Sequence, residues 1–84
     1  MTLAEFQKAI KAIKSERFRE KSDNTLVYGY QRARFQKNQL ERLIALAEQC
    51  QLRSATLKLG QWKRQLARAE ATSERFKRLQ REKQ

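Results

Sequence analysis

Histidine and proline are absent from this 84-residue chain, cysteine occurs once, at Cys50, and glycine only twice, at Gly29 and Gly60. Without histidine the commonest general base and metal ligand near neutral pH is missing, and one thiol cannot complete a zinc site. No glycine-rich phosphate loop is present. The nine carboxylates are scattered singly among basic residues, an environment that keeps them ionised rather than poised as acids. These absences argue against an enzyme and against any metal, cofactor or small-molecule substrate. A lone cysteine cannot close an internal disulfide. Among Leu43, Leu46 and Ala47, Cys50 reads as a small buried hydrophobe suited to a reducing compartment. Long apolar runs are missing too, so neither a membrane span nor a signal-peptide core is expected. The expected location is cytoplasmic, with no membrane contact.

What the chain does contain is positive charge and helical periodicity. Twenty Lys and Arg stand against nine Asp and Glu, a net charge of +11. Such an excess destabilises a folded chain by self-repulsion and points to an anionic partner, most simply nucleic acid. The near absence of helix breakers favours long helices, and strand signals are weak, with a single valine, Val27.

Three amphipathic segments follow from the spacing of apolar residues. The first opens on Thr2-Leu3-Ala4-Glu5, a capping-box pattern. Leu3, Phe6, Ile10 and Ile13 then form one stripe. The stripe fails at Arg17, and the helix is expected over about residues 2–21, with Phe18 at its edge or exposed. A second helix is expected over 25–51, capped by Asp23 or Asn24. Its seam is Leu26, Tyr30, Ala33, Leu40, Ile44 and Ala47, interrupted by Lys37; Leu43 and Leu46 widen it as if for two neighbours. A third helix, over 54–81 with Ser54 as its cap, carries Leu59, Trp62, Leu66, Ala69 and Phe76. Gly60 inside it marks a bend or a close helix contact, and the tail Arg81–Gln84 should fray. The expected fold is all-α and one domain, 1–84: a small three-helix bundle, or a long helical hairpin with a short N-terminal helix, completed by oligomerisation or a partner. A runner-up merges the last two helices into one bent helix and completes the core by dimerisation.

Between Asp23 and Glu41 no acidic residue occurs, while Tyr28, Tyr30 and Phe35 crowd together with Arg32, Arg34, Lys37 and several amides. Cations pair with phosphates, aromatic rings stack on unpaired bases and amides reach base edges, a combination suited to RNA or single-stranded DNA. On the plainer reading Tyr30 and Ala33 are core, the arginines are solvated and Phe35 packs on a neighbouring helix. A second basic surface is expected on the first helix, where Lys11, Lys14 and Lys21 share a face with Phe18. The third is the densest: Lys58, Lys63, Arg64 and Arg68, then Arg75, Lys77, Arg78, Arg81 and Lys83. Within that helix only the Glu74–Arg78 and Glu82–Arg78 spacings offset charge. The candidate nucleic-acid-binding residues are therefore Lys11, Lys14, Tyr28, Arg32, Arg34, Phe35, Lys37, Lys58, Lys63, Arg64 and Arg68.

The stretch Leu43 to Leu57 resembles the helix-turn-helix of bacterial transcription regulators. Ala47 stands at the small position of the first helix, Leu52 at the apolar position after the turn and Leu57 at the apolar position of the recognition helix. Gln51 replaces the usual turn glycine, and Gly60 stands where a packing residue belongs. The resemblance implies duplex DNA binding, with Arg53, Ser54, Thr56 and Lys58 facing the major groove.

The leading expectation is thus a non-catalytic nucleic-acid-binding protein, a small accessory subunit gripping the phosphate backbone, associated with other protein subunits or with itself. The alternatives are the duplex DNA regulator and a basic adaptor docking an acidic protein through Trp62, Phe35, Phe18 and Tyr28. A membrane-surface role is weaker, because the apolar stripes are narrow and needed for a core.

Overall fold

A computed structural model describes residues 1–19 and 21–82. Three helices occur among them, in chain order α1 (Leu3–Lys14), α2 (Thr25–Gln49) and α3 (Arg53–Glu82). The all-α expectation holds in its hairpin form. α2 and α3 run antiparallel along their lengths, and the short α1 leans on one end of the pair. Helix α3 alone is about 45 Å long at 1.5 Å per residue, which accounts for an elongated molecule of 50 × 22 × 13 Å. The merged, bent-helix alternative is excluded by the break at Cys50–Leu52.

Each helix starts where local chemistry satisfies its free N–H groups. Thr2 Oγ1 accepts from the Glu5 N–H at 3.2 Å. Glu5 does not reach back to the backbone; its carboxylate accepts from the Thr2 hydroxyl instead. Asn24, not Asp23, caps α2, its Oδ1 accepting from the N–H groups of Leu26 and Val27. Helix α3 begins one residue before the expected cap. The Leu52 carbonyl takes its first bond, from Thr56 N–H, so Ser54 lies within the first turn.

The first helix ends seven residues earlier than its expected boundary at Lys21. Its last carbonyls find partners outside the helix: the Ser15 hydroxyl donates to Ala12 O at 2.7 Å, and the Gln39 amide donates to Ile13 O at 2.8 Å. Arg42 then pairs with Glu16, and Phe18 turns onto Tyr28 and Phe35, with ring centroids 5.4 and 5.7 Å away. Phe18 is half-buried in this contact and lies outside α1. The expected face of Lys11, Lys14, Lys21 and Phe18 therefore does not exist; of these only the two lysines are helical. Glu20, within that expected helix, lies outside the described residues.

The core sits at the closed end of the hairpin. Phe6 and Ile10 of α1, Leu43, Ile44 and Ala47 of α2, Cys50, and Ala55 and Trp62 of α3 are buried together, with the Phe6 and Trp62 rings 6.4 Å apart. The widening of the α2 stripe at Leu43 and Leu46 does serve two neighbours, α1 and α3. Cys50 is buried, as a small hydrophobe should be. Toward the open end only two helices remain, and their register is set by small residues. The tip of the Phe76 ring lies against Gly29, where a Cβ would come within 2.5 Å of it. Gln80 Nε2 donates to Leu26 O at 3.1 Å. Gly60, by contrast, is exposed within an unbroken helix and faces nothing within 4 Å. It marks no close helix contact; that role belongs to Gly29.

The Leu43–Leu57 segment does not take helix-turn-helix geometry. In that motif the two helices cross at a steep angle, whereas here the apolar stripes continue past the turn and zip α2 and α3 side by side. Leu57, which the motif would bury between its helices, is 73% exposed.

Among the described residues, no helix is long and apolar enough to cross a membrane.

Candidate nucleic-acid interface

The antiparallel pairing of α2 and α3 divides the acid-free segment 24–40 between two flanks. Arg32 and Arg34 are two residues apart, hence about 160° apart around the helix, and they line different grooves. On one flank two adjoining cavities of about 370 and 360 Å³ run between α2 and α3 and share Gln36 and Thr72. The cavity nearer the turn is walled by Gln36, Gln39 and Leu40 of α2 with Gln65, Arg68 and Thr72 of α3. The cavity nearer the open end is walled by Tyr28, Gly29, Arg32 and Ala33 with Thr72 and Phe76. Together they make one groove. Helix α1 abuts its inner end, because Gln39 on the groove wall also holds the Ile13 carbonyl. Lys11 and Lys14, in the last turn of α1, are exposed and line neither cavity.

The opposite flank carries a separate cavity of about 470 Å³, lined by Phe18, Tyr30, Gln31, Arg34, Phe35 and Asn38 among others. Here the aromatic residues are committed to one another and to cations. Phe35 packs on Phe18, and the Arg34 guanidinium sits 5.9 Å from the centre of the Tyr30 ring. Gln31 Oε1 is buried without a hydrogen-bond partner among the described residues. Phe35, expected as a stacking platform, is half-buried against the loop that carries Phe18. Tyr28 is the more open ring, 37% exposed.

The remaining candidates lie elsewhere. Lys37 is half-buried in the α2 seam. Lys58 lies near the turn, its Nζ 5.9 Å from the centre of the Trp62 ring. Lys63 and Arg64 are exposed. Lys63 is turned about 100° from the buried Trp62, on the side away from Gln65, whereas Arg64 precedes Arg68 by one turn and lies about 40° from it around the helix, without lining the groove itself. Of the eleven candidates, then, the structure gathers Tyr28, Arg32 and Arg68 in one groove. Nothing in the spacing of the chain singles out Gln65 or Thr72, which complete that groove. Their relevance arises only when α3 is laid against α2. Lys83 lies outside the described residues.

Charge is distributed unevenly around these features. No Asp or Glu lines any of the three cavities among the described residues. Glu16–Arg42 is the one ion pair among them; neither Glu74–Arg78 nor Glu82–Arg78 closes. The hydrogen bond from Arg42 holds the Glu16 carboxyl below the usual carboxylate range, against a smaller opposing effect of desolvation. The same bond raises Arg42. Among the described residues no three His, Cys, Asp or Glu side chains stand close enough to hold a metal ion.

No family model, curated protein or solved structure matches this chain. Fold and charge together define it as a small, strongly basic helical hairpin braced at one end by a short third helix.

Proposed function

We propose that this protein is a non-catalytic nucleic-acid-binding protein, a small accessory subunit that grips the phosphate backbone of RNA or single-stranded DNA. One observation carries the reading. A net charge of +11 is met by a single ion pair among the described residues, and the grooves of the hairpin are lined by cations, amides and aromatic rings without a carboxylate. Cations left without internal partners repel one another until a polyanion neutralises them. Binding of this kind releases counterions, so affinity should fall steeply as salt rises and depend little on base sequence.

The test is a filter-binding titration of one labelled oligonucleotide at several salt concentrations. A linear fall of log affinity with log salt, with a slope corresponding to several phosphates, is expected. Affinity that ignores salt, or no binding at low salt, ends the proposal. The adaptor alternative predicts instead a protein partner whose capture survives nuclease treatment.

A further inference from the structure

We infer that the groove between α2 and α3 holds an unpaired polynucleotide strand, with Arg32 and Arg68 on its phosphates and Tyr28 stacked on a base. The inference rests on the nucleic-acid reading above and adds to it a place on the molecule and a strand state. Three observations carry it.

The first is charge. Arg32 projects from the α2 wall and Arg68 from the α3 wall, and no carboxylate lines the groove among the described residues. The second is spacing. The pairing of Leu26 with Gln80 and of Gly29 with Phe76 puts Arg68 level with residue 37. It is thus about 7–8 Å along the hairpin axis from Arg32, at 1.5 Å per residue. Along the axis that is no more than about two nucleotide steps at the roughly 3.4 Å rise of a stacked strand, an offset that one continuous strand spans. The third is the character of the lining. Ala33 and Ala69 on the floor are already buried, and Tyr28 is the one large, substantially exposed apolar side chain of the groove. The open end of the groove is mainly apolar, with half-buried Phe76 beside Tyr28, and the inner end is evenly mixed, so rings and amides share one cleft. A strand finds what it needs: amides of Gln36 and Gln65 for sugar and base edges, the Thr72 oxygen as an acceptor, its proton being donated to Arg68 O at 2.9 Å, and one ring for stacking. Tyr28 is supported from behind by Phe18 in an edge-to-face contact, which holds the ring in place.

The experiment compares wild type, the Arg32→Gln/Arg68→Gln double variant and the equally charge-depleted Lys63→Gln/Lys77→Gln variant, whose two lysines are exposed on the other side of α3. Each is titrated with a 15-mer of single-stranded RNA, its DNA counterpart and the duplex at one salt concentration, and then across a salt series. Circular dichroism melts confirm that each variant is folded. The groove variant is expected to lose about tenfold or more in affinity for single strands, with the salt slope reduced by about 1.4, at 0.7 per phosphate. The control variant should lose markedly less. Tyr28→Phe should keep the preference for single strand over duplex, and Tyr28→Ala should lose it. The two single-strand arms show whether ribose or deoxyribose is preferred. If the two double variants lose equally, or if duplex binds wild type as tightly as single strand, the groove assignment is overturned while the general reading stands. Competition by polyglutamate as effective as by the oligonucleotide overturns it as well. Absence of salt-dependent binding by wild type removes the reading itself.

Discussion

Two glycines in similar helical contexts have opposite consequences. Gly60 lies exposed in the middle of α3 with open space where its Cβ would be, so it contributes only the flexibility that disfavours a helix. Gly60→Ala should stabilise the protein by about 1 kcal/mol. Gly29 accepts the tip of the Phe76 ring against its Cα. Gly29→Ala gains the same helical preference but forces the ring away, an overpacking cost of about 1–3 kcal/mol, and should be net destabilising. Denaturant melts of the two variants moving in opposite directions would bear this out; a gain in both would show that Phe76 does not depend on Gly29. From the chain alone both glycines read as helix imperfections. What separates them is a contact 47 residues away in sequence, between Gly29 and Phe76.

At the scale of elements, the segment joining α1 to α2 is the part whose structure depends most on side chains from another helix. Gln39 closes the end of α1, and Arg42 holds Glu16. Because the Glu16 carboxyl titrates below its ordinary value when paired, the pair favours the folded segment above the ordinary carboxylate range. That contribution is lost as pH falls through the lowered folded value. The pair is exposed to solvent, so the effect on global stability is small and is better read locally. An NMR titration of Glu16 should show a depressed midpoint in wild type and an ordinary one in Arg42→Gln. Equal midpoints would mean the pair is not formed in solution. The early end of α1 was only half legible. The failure of the apolar stripe at Arg17 is visible in the chain, but Gln39 as the group that receives the loose carbonyls is not. A glutamine on a helix face carries no signature until another element reaches it.

For the whole molecule, unbalanced charge should make stability depend on ions. Self-repulsion at +11 is screened as the Debye length shortens, so Tm should rise as sodium chloride goes from about 0.05 to about 0.5 M. A polyanion that binds the folded state should raise it further at low salt. A Tm that falls over this range would show that the cations are already neutralised within the fold. The all-α class, the approximate bounds expected for α2 and α3, most of each buried stripe and the burial of Cys50 are determined by the chain itself. All of them follow from spacing along one helix, where neighbours at three and four residues share a side. The choice of a side-by-side hairpin over a crossed helix-turn-helix, the division of residues 24–40 between two flanks and the placing of Arg32 and Arg68 along one groove were decided by tertiary structure alone. Each depends on the register between α2 and α3, and that register is set by which ring fits over which small residue, a match of shapes that no periodicity encodes.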